Sequence, residues 1–282
     1  MIEQRLRRLR IGDKLLRVRD EPDPPPGPRA GPPLVLVHGA GSSSVLWMDV
    51  IRRVVTMAPA RRVIAPDLPG QGQSQPWHDA PSLVGYRDAV GTVCAHLGVK
   101  RVVLGGHSLG GAIALACAIA WPERVAGLVL CNSAARLDVS DEVLALLERS
   151  LPGAGREAAA DAEWVDRMPD EVAELAFSPA THRDVRERWQ AVLYAARRDT
   201  VLGDFRACRG LDLSAGLGAL TVPTLIVGGE DDLLVPPSRL RETAAGIRGA
   251  RLALLPQTGH LSHLERPEEF LAQLAPFLQS VA

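Results

Sequence analysis

The apolar positions of this chain fall into short unbroken runs separated by longer segments of helical period. Leu34–Val37, Val63–Ala65, Val102–Leu104, Val125–Cys131, Thr224–Val227 and Leu252–Leu255 lack polar alternation, the pattern of strands buried on both faces. Between them, Leu83, Tyr86, Val90, Val93 and Leu97 fall on one face of a helix that Ser82 is placed to cap. Near the end, Pro267-Glu268-Glu269 puts a proline and two acids in a first helical turn, and Phe270, Leu271, Leu274, Phe277 and Leu278 form its apolar stripe. Residues 4–10 and 14–19 alternate around Gly12-Asp13 and predict an opening β-hairpin. The stretch from Pro22 to Pro33 predicts a connector, because proline has no amide donor for a central strand. Buried strands alternating with helices imply an α/β fold: a mostly parallel central sheet with helices on both faces.

From about Ser133 to Gly210 that alternation stops. The interval reads as several amphipathic helices with Pro152, Pro169 and Pro179 between them, and the core pattern resumes near Val222. The expected organisation is a core of residues 1–132 and 211–282 with a helical lid, residues 133–210, inserted over the carboxyl edge of the sheet, where α/β proteins bind ligands. Trp164, Met168, Phe177, Trp189 and Tyr194 are the lid's large side chains. Most such residues on amphipathic helices pack against a core, so packing is the first reading for each and pocket lining the second. Aromatic residues make up only 4% of the chain, which points to a small, mainly aliphatic pocket.

Composition narrows the classes further. At 282 residues, with Lys+Arg 32 against Asp+Glu 33, the formal charge of −1 offers no electrostatic case for nucleic acid or an anionic membrane. The first ten residues lack the apolar centre of a signal peptide, and no apolar run approaches the roughly 18 residues of a membrane span, so a cytoplasmic protein is expected. Cys94, Cys117, Cys131 and Cys208 are widely spaced without a C-x-x-C pair, and read as reduced structural thiols. Neither a metal nor a cofactor is expected, and nothing in the sequence sets an oligomeric state.

The candidate chemistry sits at Gly106-His107-Ser108-Leu109-Gly110, which fits G-x-S-x-G. Val102–Leu104 precedes it as a buried strand, and Ala112–Ala120 follows as a buried helix stopped at Trp121-Pro122. A strand, a tight turn with glycines where side chains would collide, and a helix together expose Ser108. A serine hydroxyl needs a base to take its proton, and a carboxylate to orient that base. Three histidines follow Ser108: His182 lies among charges in the lid, His263 is a nearby decoy, and His260 follows the last predicted strand and a short loop, Pro256–Gly259. That strand delivers His260 to the edge that bears the serine, so it is the expected base. The acid is expected where Thr224–Val227 runs into Glu230-Asp231-Asp232, and composition does not choose among the three.

With these motifs in place the chain resembles the α/β-hydrolase fold superfamily along nearly its whole length, in the lidded branch of esterases, enol-lactonases, C–C bond hydrolases and cofactor-free haloperoxidases. The resemblance rests on His38-Gly39-Ala40-Gly41, Asp67-Leu68-Pro69-Gly70-Gln71-Gly72-Gln73-Ser74, the Ser108 elbow, Gly229-Glu230-Asp231-Asp232 with Val235-Pro236, and Gly259-His260. It implies a triad of Ser108, Asp232 and His260, with Asp231 the alternative acid. It also implies an oxyanion hole from the backbone N–H groups of Ala40 and Leu109, Gly41 being the less favoured substitute for Ala40. His38 is expected to hold the oxyanion loop, as the resemblance implies, with Gly39 and His107 as further supporting residues of the site.

The implied activity is hydrolysis of a small ester or lactone through an acyl-enzyme. A C–C bond (β-diketone) hydrolase and a haloperoxidase or perhydrolase are the alternatives. The tryptophan often found after the catalytic histidine of the C–C hydrolases is Leu261 here, and a serine at 108 argues against relatives that attack with a carboxylate. A ligand sensor that keeps the triad but turns over slowly is a reading from a different class.

Overall fold

Strands β1 (Leu6–Ile11) and β2 (Lys14–Glu21) form the hairpin, and β3 (Leu34–Val37), β4 (Val63–Pro66), β5 (Val102–His107) and β6 (Val125–Cys131) follow. After the short β7 (Arg136–Leu137) and β8 (Leu211–Asp212), the main sheet ends with β9 (Thr224–Gly229) and β10 (Arg251–Leu255). A computed structural model provides this architecture and describes residues 6–21, 31–56, 61–77, 81–141, 144, 145, 148 and 170–281. Pro152, Trp164, Met168, Pro169 and most of the Pro22–Pro33 connector lie outside the described residues.

Eight strands make one sheet in the order β1-β2-β4-β3-β5-β6-β9-β10. Only β2 runs against its neighbours; every other pair within β4 to β10 is parallel. Parallel strands need crossovers, and these place helices on both faces. One face carries α1 (Met48–Thr56) and, at the end of the chain, α7 (Pro267–Ser280), packed on Leu34, Leu36, Val63, Val103, Val129, Leu225 and Val227. The other carries α2 (Leu83–His96), α3 (Leu109–Ala120) and α6 (Pro237–Gly246), packed on Val35, Val37, Ile64, Leu104, Leu128 and Ile226. Alternate residues of each strand thus feed opposite cores, which is why the strands read as unbroken apolar runs.

The local signals act as the side chains dictate. The Ser82 hydroxyl accepts the Gly85 N–H at 3.0 Å and caps α2. All five stripe residues of α7 are buried. Helix α3, apolar on every side, is buried from Leu109 to Ala118 between the sheet and α2, and ends at Trp121 before Pro122.

Between β6 and β9 the described residues form a helical segment at 170–176, then α4 (Arg183–Tyr194) and α5 (Arg198–Cys208). One detail departs from the pattern-based expectation that this interval is wholly helical. β7, inside it, pairs antiparallel with β8, tying the two ends of the excursion together. A two-residue ladder is too short to leave a periodic signature. Among the described residues no helix is long and apolar enough to cross a membrane.

Phe277 of α7 packs against Gly127 of β6 and is 2% exposed. Truncating such a side chain removes its contacts and leaves a cavity. Phe277→Ala is expected to lower unfolding stability by about 3–5 kcal/mol in urea titrations monitored by far-UV circular dichroism.

Candidate active site

β5 ends at His107, and the chain turns into α3 through Ser108, whose backbone sits at φ 52°, ψ −122°. A non-glycine residue there is strained, so the surroundings must impose it. They do so by close approach: a Cβ at Gly106 would run into the Gly110 carbonyl, and one at Gly110 into the carbonyls of Val37 and His38. The two glycines let the start of α3 press against the end of β3. Ser108 N–H bonds Cys131 O at 3.0 Å, and Ser108 O accepts from Gly111 N and the Ser133 hydroxyl. Among the described residues the Ser108 hydroxyl forms no hydrogen bond of its own.

The loop after β3 lies alongside. The His38 ring is buried and neutral in character, because burial lowers its pKa. Its Nδ1 pairs with Gly39 O at 2.9 Å and its Nε2 accepts Leu68 N–H at 3.0 Å, so it ties this loop to the one after β4. Gly39 gives room to His107: a Cβ there would lie 2.7 Å from His107 Nδ1. Among the described residues no hydrogen bond engages the N–H of Ala40 or of Leu109. The Gly41 N–H is already taken, by Asp204 Oδ2 at 2.8 Å.

Beyond β9, Asp232 Oδ2 accepts His260 Nδ1–H at 2.9 Å, and both side chains are almost fully buried. That bond leaves His260 Nε2 with the free lone pair. Asp232 Oδ1 accepts Leu234 N–H and Val235 N–H at 3.0 and 2.8 Å. Asp231 is used otherwise: its Oδ2 accepts the Ser178 hydroxyl at 2.6 Å. The residue before the elbow reaches the same loop, His107 Nε2–H donating to His260 O at 2.8 Å. Burial and the neighbouring His260 and His263 hold His107 well below the usual histidine pKa.

His263 and His182, the other two histidines that follow Ser108, have structural contacts. His263 is buried, stacks on Trp47 with ring centroids 4.3 Å apart, and is pushed by burial down to about 3. His182 is exposed and caps α4. Phe177 and Trp189 pack edge to face at 5.5 Å within a small core that includes Leu193, Val201, Leu261 and Leu264, while Tyr194 is 51% exposed. The four cysteines are unpaired; burial pushes the Cys131 and Cys208 thiols up to about 12 and Cys94 to about 11. Among the described residues no group of three or more His, Cys, Asp and Glu is arranged to hold a metal.

Sequence reasoning missed three polar residues around these loops. Asn132, at φ 47° directly after β6, donates to Asp232 Oδ2 (3.0 Å) and Gly259 O (2.9 Å), and accepts Ser262 N–H (3.1 Å). Glu265 accepts the N–H groups of Gly259, Leu261 and Ser178 and the Thr181 hydroxyl, bracketing His260 from both sides. Asp204 lies on the buried face of α5. Asn132 was signalled by its place at the close of the apolar run Val125–Cys131, whereas Glu265 and Asp204, with Arg266 and Arg206 close by in sequence, carried no such signal.

The sequence profile of the alpha/beta hydrolase family matches residues 34–273. The chain belongs to that family. Among curated relatives of this hydrolase, 2-hydroxymuconate semialdehyde hydrolase of Pseudomonas sp. strain CF600 is 33% identical over 88% of this chain and 87% of its own length. A protein of Variovorax paradoxus named provisionally as a carbamate hydrolase is 31% identical over 91% and 95%. Among solved structures, a thermophilic esterase from Thermogutta terrifontis superimposes with a TM-score of 0.81 at 26% identity, over 98% of this chain and 99% of that one.

The buried neutral histidines bear on stability. Above pH 6.5 they are uncharged whether the hydrolase is folded or not. Below it, the unfolded chain takes up protons that buried His38, His107 and His263 refuse, so stability falls with pH, by up to about 1.4 kcal/mol per group and pH unit. Asp204, pushed by burial up to about 7, works the other way between pH 3.8 and 7, because the folded state keeps its proton. That is one group against three. The urea midpoint is expected to fall from pH 7 to pH 4.5, and less steeply in His263→Phe.

Proposed function

We propose that this hydrolase cleaves a small carboxylic ester or lactone through an acyl-enzyme on Ser108, with residues 133–210 as the lid that shapes its pocket. The buried Asp232–His260 pair at 2.9 Å, tied through His107 to the strained Ser108 turn, carries the reading. Asp232 keeps the His260 proton on Nδ1, so Nε2 is the base.

In the first half-reaction Ser108 Oγ attacks the carbonyl carbon while His260 Nε2 takes the hydroxyl proton. The oxyanion that forms is held by the N–H groups of Ala40 and Leu109; Gly41 is unsuited because Asp204 already takes its N–H. Collapse breaks the bond to the leaving oxygen, which receives the proton from His260. In the second, His260 takes a proton from water, the oxygen attacks the acyl carbon, and the acid departs as Ser108 recovers its proton. The free Ser108 hydroxyl suits this scheme, since catalytic hydrogen bonds often tighten only with substrate bound.

The relative named 2-hydroxymuconate semialdehyde hydrolase favours a second reading, cleavage of a C–C bond in a vinylogous 1,5-diketone. Leu261, in place of the tryptophan usual in such enzymes, favours the ester or lactone.

The test is a screen of short p-nitrophenyl esters, lactones and vinylogous diketones with defined variants. Ser108→Ala is expected to abolish turnover, and wild-type rates in that variant would sink the assignment. Asp232→Asn is expected to reduce kcat on the order of 10⁴-fold, because the amide favours the wrong histidine tautomer, whereas Asp231→Asn stays within about tenfold of wild type. Diketone cleavage with negligible ester turnover would establish the second reading, and a burst followed by negligible turnover would indicate a sensor.

A further inference from the structure

Asp204 is an acid in an unusual place. It lies on α5 with no exposed surface, and among the described residues no basic side chain pairs with it. Its partners are neutral donors from three separate segments. The Gly41 N–H reaches Oδ2 at 2.8 Å, the Gln71 side-chain amide bonds the same oxygen, and the Tyr86 hydroxyl meets Oδ1 at 2.5 Å. Burying an acid without a counter-ion carries a desolvation cost that these hydrogen bonds must offset.

The contact with Gly41 supplies a reason. Gly41 has φ 59°, and its N–H belongs to the peptide that follows Ala40. Once the Gly41 N–H is held from behind by Asp204, that peptide plane cannot rotate, and the backbone at Ala40 is fixed from its carboxyl side. His38, bonded to Gly39 O, fixes it from the other side. We propose that Asp204 is a positioning residue for the oxyanion loop: it touches no substrate, but anchors the Gly41 N–H and thereby aims the Ala40 N–H at the developing oxyanion. The proposal rests on the serine-hydrolase reading above.

Protonation of Asp204 bears on the same contact. Oδ2 already receives two N–H groups, so a proton bound by the acid sits on Oδ1, facing Tyr86. The titratable groups against it are Tyr86 of α2 and Cys208 of its own helix; burial raises both, Cys208 to about 12, so neither charges near neutral pH. A charged acceptor makes the stronger hydrogen bond, so the loop is held most firmly when Asp204 is ionised.

Asp204→Leu and Asp204→Ala separate this role from a purely structural one. Both remove the acceptor, and the leucine nearly preserves the shape. The expected result for Asp204→Leu, measured on folded protein, is a kcat ten- to a hundredfold lower on p-nitrophenyl acetate with KM within threefold. Inhibition by an aryl boronic acid, whose tetrahedral adduct places an oxygen in the oxyanion hole, is expected to weaken in parallel with kcat/KM. Asp204→Asn, which keeps a carbonyl acceptor for Gly41, is expected to recover most of the loss. Should the leucine overpack the site and prevent folding, Asp204→Ala is read in its place by the same kinetic measures. Folded variants with wild-type kcat and boronate affinity overturn the proposal, as does loss of melting temperature with undiminished kcat in the folded fraction. Ser108→Ala runs alongside: turnover retained there refutes the serine reading itself, whereas a dead Ser108→Ala beside a fully active Asp204→Leu refutes only the role of Asp204.

Discussion

The packing of α3 against the ends of β3 and β5 is the constraint on which the site depends. Gly106 and Gly110 admit backbone where any side chain would collide, and the closeness they allow drives Ser108 into a left-handed conformation that its own preferences disfavour. The cost is borne by the burial of α3 from Leu109 to Ala118 and by bonds from Ser108 to Cys131, Gly111 and Ser133. The same approach brings the free N–H at the start of α3 beside the loop that carries Ala40.

Around that turn the loops hold each other through buried polar groups. His107 reaches the carbonyl of His260, Asn132 bridges Asp232 and Gly259, and Glu265 gathers the N–H groups on either side of His260. The excursion between β6 and β9 joins this set at two places. At one, Ala176 O accepts the His260 N–H at 2.5 Å and Ser178 binds Asp231; at the other, Asp204 takes Gly41. The excursion is thus stitched to the loops that carry Asp231 and His260 and to the loop after β3. Buried polar groups of this kind specify one arrangement, since each alternative leaves donors or acceptors unpaired.

Much of the fold was legible because its signals are local. Unbroken apolar runs marked every strand from β3 to β6 and both β9 and β10, since burial on both faces demands them. Ser82 and the stripe from Phe270 to Leu278 marked two helices through capping and period. The short β7–β8 ladder escaped, having too few residues to show a period. Of the three acids after β9, composition alone did not distinguish Asp231 from Asp232; the structure pairs one with His260 and the other with Ser178. Phe177 and Trp189 stood open as packing or pocket residues, and they pack.

By itself the sequence determined the α/β architecture, the serine turn and the short list of acids and histidines, because those follow from hydrophobic period, turn sterics and residue order. Only the tertiary structure decided which members of that list meet, and which unremarked residues hold them. Asn132, Glu265 and Asp204 act across separations of roughly 100, 6 and 160 residues, and no local preference encodes contacts of the longest kind. The chain writes its elements in nearest-neighbour terms, while the distances among strand ends are set by how two faces of one sheet pack at once.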